Sequence, residues 1–128
     1  MELSDMLNET SPCPVKYKSY AFICQIFTER LTPAYKAKLL ALSVANEEHE
    51  EASESDVPDD IKDDNARMLA DLIASWTDKD GKEIVLHGVP HPPTYENWLN
   101  FSYSMMAAFI KQITSFLGDI ANPQNEPS

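Results

Sequence analysis

Thr94-Tyr95-Glu96-Asn97-Trp98-Leu99-Asn100-Phe101-Ser102-Tyr103-Ser104-Met105-Met106-Ala107-Ala108-Phe109-Ile110-Lys111-Gln112-Ile113-Thr114-Ser115-Phe116-Leu117-Gly118 decides how this chain is read. Thr94 offers a capping hydroxyl, Glu96 an acid in the first turn, and Gly118 a residue suited to the position after a last turn. The spacing predicts one helix from Tyr95 to about Leu117. At about 1.5 Å per residue, some 23 residues make a rod of roughly 35 Å, as long as a small domain is wide. Trp98, Met105, Met106, Phe109, Ile113, Phe116, Leu117 and Ile120 form one apolar stripe at helical spacing. Phe101, Tyr103, Ala107 and Ile110 point in other directions, so from Asn97 to Ile110 the helix is apolar nearly all round. Either the hairpin and the N-terminal segment cover that second face, or it binds protein, by self-association or by holding an apolar helix of a partner. On the second reading Trp98, Phe101, Met105, Met106, Phe109 and Ile113 carry the contacts, and methionine suits such use because it adapts to irregular apolar surfaces.

Working towards the N-terminus, His87 to Pro93 holds three prolines and reads as a loop. Before it, Thr77-Asp78-Lys79-Asp80-Gly81-Lys82-Glu83-Ile84-Val85-Leu86 sets an Asp-Gly pair beside a β-branched run. That predicts a β-hairpin, with Asp80 and Gly81 as the structural turn and Gly81 at positive φ. Ile61, Asn65, Met68, Leu69, Leu72, Ile73 and Trp76 share one amphipathic face, which predicts a helix from about Asp60 to Trp76, anchored by Trp76. Thr32-Pro33 is a helix start, and a helix is expected from Pro33 to about Ala45. From Val15 to Phe27 aromatic and β-branched residues favour a strand, with a short helix as the alternative. The whole reads as a small α+β domain, mainly α-helical, over residues 1–121, with an unstructured tail at 122–128.

Charge and composition narrow the function. Acids outnumber bases 21 to 10, a net charge of −11, which disfavours nucleic acid and anionic membrane as partners. Asn46 to Asp64 alone carries −9 and leaves the rest nearly neutral. So dense a like-charge run at 46–60 reads as a solvated acidic loop. No basic leader followed by an apolar run opens the sequence, and no stretch reaches the roughly 20 apolar residues of a membrane span, so a soluble protein is expected. Cys13 and Cys24 suit a reducing compartment and would bond only if the fold brought them together. Their spacing is wrong for zinc, and prolines prevent His87 and His91 from sharing a helix face. Asp78-Lys79-Asp80-Gly81 fails as a calcium loop, because Trp76 and His87 would fill positions that require carboxylates. Gly-x-Ser-x-Gly and phosphate-loop signatures are absent from the sequence. The expectation is a protein that is not an enzyme and takes no cofactor and no metal.

The run Ala66-Arg67-Met68-Leu69-Ala70-Asp71-Leu72-Ile73-Ala74-Ser75-Trp76-Thr77-Asp78-Lys79-Asp80-Gly81-Lys82-Glu83-Ile84-Val85-Leu86 resembles the tail assembly chaperones of long-tailed bacteriophages. These show a leucine-rich helix ending in tryptophan, an acidic Asp-x-Asp-Gly-Lys turn, a short apolar strand, a proline-bearing loop and a closing helix. Trp76, Asp78, Asp80, Gly81 and Lys82 match the turn, and Tyr95, Trp98 and Leu99 fall where the closing helix begins. The likeness covers roughly residues 61–120, and the long acidic loop is an addition to the family pattern. The resemblance implies a chaperone made in the host cytoplasm that coats the tape measure protein, helps recruit the tail tube protein, and leaves before the tail matures. Many such proteins also exist in a longer, frameshifted form. Two alternatives follow from the residues: an acidic inhibitor or nucleic-acid mimic that binds a basic partner through Glu47 to Asp64, and a small structural protein of the virion.

Overall fold

Thr32 accepts a hydrogen bond from the Tyr35 amide at 3.1 Å and Pro33 occupies the first turn, so helix α1, Pro33–Glu48, starts where its sequence sets it. The computed structural model describes residues 10–27, 31–49 and 56–121, and for 118–121 the backbone alone. Ahead of α1 stand β1, Thr10–Tyr17, and β2, Tyr20–Phe27. After it come α2, Asp59–Leu72, and β3, Ile73–Asp78. A small hairpin follows, β4, Val85–Leu86, and β5, Val89–Pro90. The chain closes with α3, Tyr95–Trp98, and α4, Tyr103–Ala121. The fold is the expected α+β class.

The three longer strands form an antiparallel sheet in the order β1-β2-β3. Cys13 and Val15 of β1 and Phe22, Cys24 and Ile26 of β2 alternate inward and are buried. Cys13 stands directly opposite Cys24, both as free thiols. Helix α4 is the centre of the molecule and contacts α1, α2 and β1. Phe109 turns to the sheet, with its ring 5.2 Å from that of Phe22, while Tyr103 reaches α1. Each apolar residue buried here contributes about 1.5–3 kcal/mol by leaving water.

Several boundaries differ from the sequence reading. The segment Val15–Phe27 is not one strand but parts of two, joined at Lys18-Ser19 with Lys18 at φ 56°. No glycine or asparagine marks that turn, so periodicity alone carries the reader straight through it. Helix α1 runs three residues past Ala45, because Asn46 has a buried partner to reach. Asn46, Glu47 and Glu48 are therefore helical and not part of the acidic loop, while residues 50–55 lie outside the described ones. Helix α2 stops at Leu72, and Trp76 sits on β3 opposite Cys24. The chain bulges beside Gln25/Ile26, which lets Ile73 and Trp76 both point inward, as they would also have done on a helix.

The Asp-Gly turn forms as expected. Gly81 has φ 80°, its amide donates to the Asp78 carbonyl at 3.0 Å, and the Asp78 carboxylate accepts from the amides of Asp80 and Lys82. The strand after it leaves β3 after the single bridge Thr77↔Glu83. It pairs instead with Val89–Pro90 across a His87-Gly88 turn, so the 87–93 stretch is partly strand. The closing helix is two helices. Thr94 caps α3 as predicted, but the chain breaks over Leu99–Ser102, where the Ser102 hydroxyl accepts the Met105 amide at 3.1 Å and starts α4 anew. Helix α4 then passes through Gly118 to Ala121. The tail 122–128 lies outside the described residues.

Candidate functional site

The six residues expected to meet a partner are brought together, but inside the protein. Trp98, Phe109 and Ile113 are fully buried, Met105 and Met106 nearly so, and Phe101 is half-buried. Trp98 packs against Trp76 at 4.9 Å, Phe109 at 5.2 Å and Phe101 at 5.6 Å between ring centroids. Tyr103 and Ile110, on the supposed surplus face, are buried as well. The reason is the sheet: the N-terminal hairpin and β3 cover one side of α4 while α1 and α2 cover the other. The apolar circumference of the closing helix is core, which corrects its reading as a contact surface. An aspartate at Met106 or Phe109 would test folding rather than binding.

The surplus of exposed apolar surface lies on α1. Its apolar residues run nearly all round the helix. Leu39 faces the core, Tyr35 and Leu42 pack beside it, and Ala37, Leu40, Ala41 and Val44 face solvent. Leu40 is 57% exposed and Val44 49%. Ala34, Tyr35, Ala37, Leu39, Leu40, Leu42 and Val44 follow no sharp helical period, so the sequence alone does not single out this outer face.

Between α1 and α2 runs a groove of about 570 Å³. Ala41, Leu42, Ala45 and Met68 give it an apolar wall, and Lys38, Asp64, Arg67 and Asp71 ring it with charge of both signs. Its ends are set by hydrogen bonds. At one end Tyr35 donates its hydroxyl to Asp71 at 3.0 Å. At the other, Asn46 and Asn65 exchange amide hydrogen bonds at 2.8 and 2.9 Å. Tyr103 donates to the Asn46 Oδ1 at 2.8 Å, and Asn65 also donates to the Ile61 carbonyl. A buried amide pair of this kind fixes the register of the two helices, since a slip would leave its polar groups unpaired. Asn65 was legible as a polar residue on the apolar face of α2. Asn46, lost in the acidic run, was not.

Beside the groove, Asp63 accepts from Tyr95 Oη and from Arg67 Nε, and the Arg67 guanidinium lies 4.6 Å from the Tyr95 ring centre. The Tyr95 hydrogen bond first, and Arg67 second, lower the Asp63 pKa, and the same bond raises that of Tyr95. Burial pushes the Cys13 thiol up to about 11 and Cys24 further still, which leaves neither nucleophilic. His91 is buried against Phe101, and its carbonyl accepts from Trp76 Nε1 at 2.7 Å. Its Nε2, like Trp98 Nε1, has no hydrogen-bond partner among the described residues. Among the described residues no three histidines, cysteines or carboxylates gather in a way that would hold a metal, and no helix is long and apolar enough to cross a membrane. No family model, curated protein or solved structure matches the chain.

Proposed function

We propose that this chain is a non-enzymatic protein-binding domain that holds a helix of a partner in the α1–α2 groove. We further propose that it serves as a tail assembly chaperone of a long-tailed bacteriophage, with the tape measure protein as client and the tail tube protein as recruit, in the host cytoplasm. The observation that carries the binding role is the groove itself: an apolar wall with a mixed-charge rim, about three helical turns long, as helix-in-groove recognition uses. The resemblance of residues 66–86 supports the choice of client. Leu42 and Met68 are already half-buried, so covering the rest of each contributes less than the about 1.5–3 kcal/mol of a full burial, which suits reversible rather than permanent holding. Reversibility is what a protein that leaves before maturation requires.

Co-expression with the tape measure protein tests this reading. Ala45→Glu and Met68→Glu should keep the fold by circular dichroism and lose most of the soluble client, while Val89→Glu, on the exposed β5, should behave as wild type. Folded groove variants that still solubilise the client would overturn the groove. Finding the chain in purified virions by mass spectrometry would overturn the chaperone role in favour of a structural one.

A further inference from the structure

The outer face of α1 is not explained by the groove. Taking 100° per residue, the face formed by Ala37, Leu40 and Val44 lies roughly 140° around the helix from the groove-lining side chains. It is exposed, at the i, i+3, i+7 spacing of a helix-pairing seam, and its small Ala37 would let a second helix approach closely. The charges on one flank of this seam are segregated: Lys36 stands near the N-terminal end and Glu47 near the C-terminal end. Neither makes an ion pair with another described residue.

We propose that α1 pairs with α1 of a second copy of this chain, antiparallel across a two-fold axis that passes between Ala41 and Leu42. An antiparallel pair sets like flanks face to face. Lys36 of each copy then lies level with Glu47 of the other, which gives two interchain ion pairs from one flank. The same register brings Leu40 level with Val44 of the other copy to within about 1.5 Å along the axis, one residue's rise. A parallel pair would instead set this flank against the opposite one, which holds Ala37 and Ala41 and no charge before Glu48, so neither Lys36 nor Glu47 would meet a counter-charge. The charge order along α1 therefore selects both the occupant and its direction. A single seam of 16-residue helices covers less than the roughly 1,600 Å² of a standard interface, so the dimer is weak and concentration-dependent.

Sedimentation velocity of the full chain, alone, tests the proposal and is independent of any client. Across about 10 µM to about 1 mM the wild type should shift from monomer towards dimer, as a weak dissociation constant requires. Leu40→Asp, at a position already exposed, should remain folded and monomeric throughout. Lys36→Glu and Glu47→Lys should each weaken the dimer at least tenfold, and the double exchange should restore it to within about threefold of wild type. A wild type that stays monomeric overturns the proposal, as does a dimer indifferent to Leu40→Asp. A double exchange no stronger than the single variants overturns the antiparallel register.

Discussion

At Asp63 one carboxylate joins two elements: Arg67, one turn along α2, and Tyr95, at the start of α3, both donate to it. The pairing is exposed, so its energy is small, but its effect on titration is legible. Because the Asp63 pKa is lowered in the folded protein, the native state binds fewer protons there than the unfolded chain does. Its contribution is therefore present at neutral pH and lost as pH falls through the lowered value, below about pH 4. Carboxyl NMR titration should place Asp63 below the ordinary aspartate range. Tyr95→Phe should raise it more than Arg67→Gln does, since the tyrosine bond is the larger cause. An equal or reversed order would show that the arginine charge sets the shift. A short i, i+4 Asp63–Arg67 spacing is visible in sequence, whereas the contribution of Tyr95, 32 residues away, is created only by packing α3 on α2.

Among the elements, β1 shows how the sheet ends. The backbone amide and carbonyl of Lys16 point away from β2 and are both held by the Gln112 side chain of α4, at 2.8 and 2.6 Å. Pro12 and Pro14 share that outward direction at alternate positions, and neither has an amide proton to offer a further strand. The free edge is thus closed by two missing donors and one borrowed side chain, the usual defence of an exposed edge. Replacing Pro12 and Pro14 by valine together with Gln112→Ala should leave the helices intact by circular dichroism but give concentration-dependent association visible in light scattering. A variant that stays monodisperse at high concentration would show that the edge is protected in some other way. The value of these prolines to an edge strand follows from a pairing order that sequence does not reveal. The same limit explains Trp76. Leu69, Leu72, Ile73 and Trp76 fit a helical face, and only the contact with β2 turns the last two into a strand. The fold class, the Thr32 and Thr94 caps and the Gly81 turn were legible because each is a local bargain between a side chain and its own backbone. The break before α4 was not, since an unbroken apolar pattern hides the Ser102 cap. Nor was the groove, which belongs to neither helix alone.

For the molecule as a whole, charge sits apart from packing. The core is covered on all sides, while residues 46–64 carry −9 of the total −11. Among the described acids of that segment, Asp63 pairs with Arg67 just beyond it, while Glu47, Glu48, Asp59, Asp60 and Asp64 form no ion pair with a described residue. Unscreened, they repel one another and favour expansion of the chain. Raising NaCl from about 10 mM to about 1 M shortens the Debye length from about 30 Å to about 3 Å. The midpoint of thermal unfolding should therefore rise with salt by a few degrees, each 1 kcal/mol being worth about 4 °C in a domain of this size. Replacing Glu50, Glu51 and Glu54 by glutamine should raise the low-salt midpoint and flatten that slope. A flat or falling dependence in the wild type would mean that the acids are individually compensated. The same triple variant separates two uses of the charge. If the segment only keeps a client complex soluble, removing three of its charges should leave client capture intact at moderate concentration. If it imitates a polyanion for a basic partner, binding should weaken steeply with each charge removed and with added salt, because such contacts are electrostatic throughout.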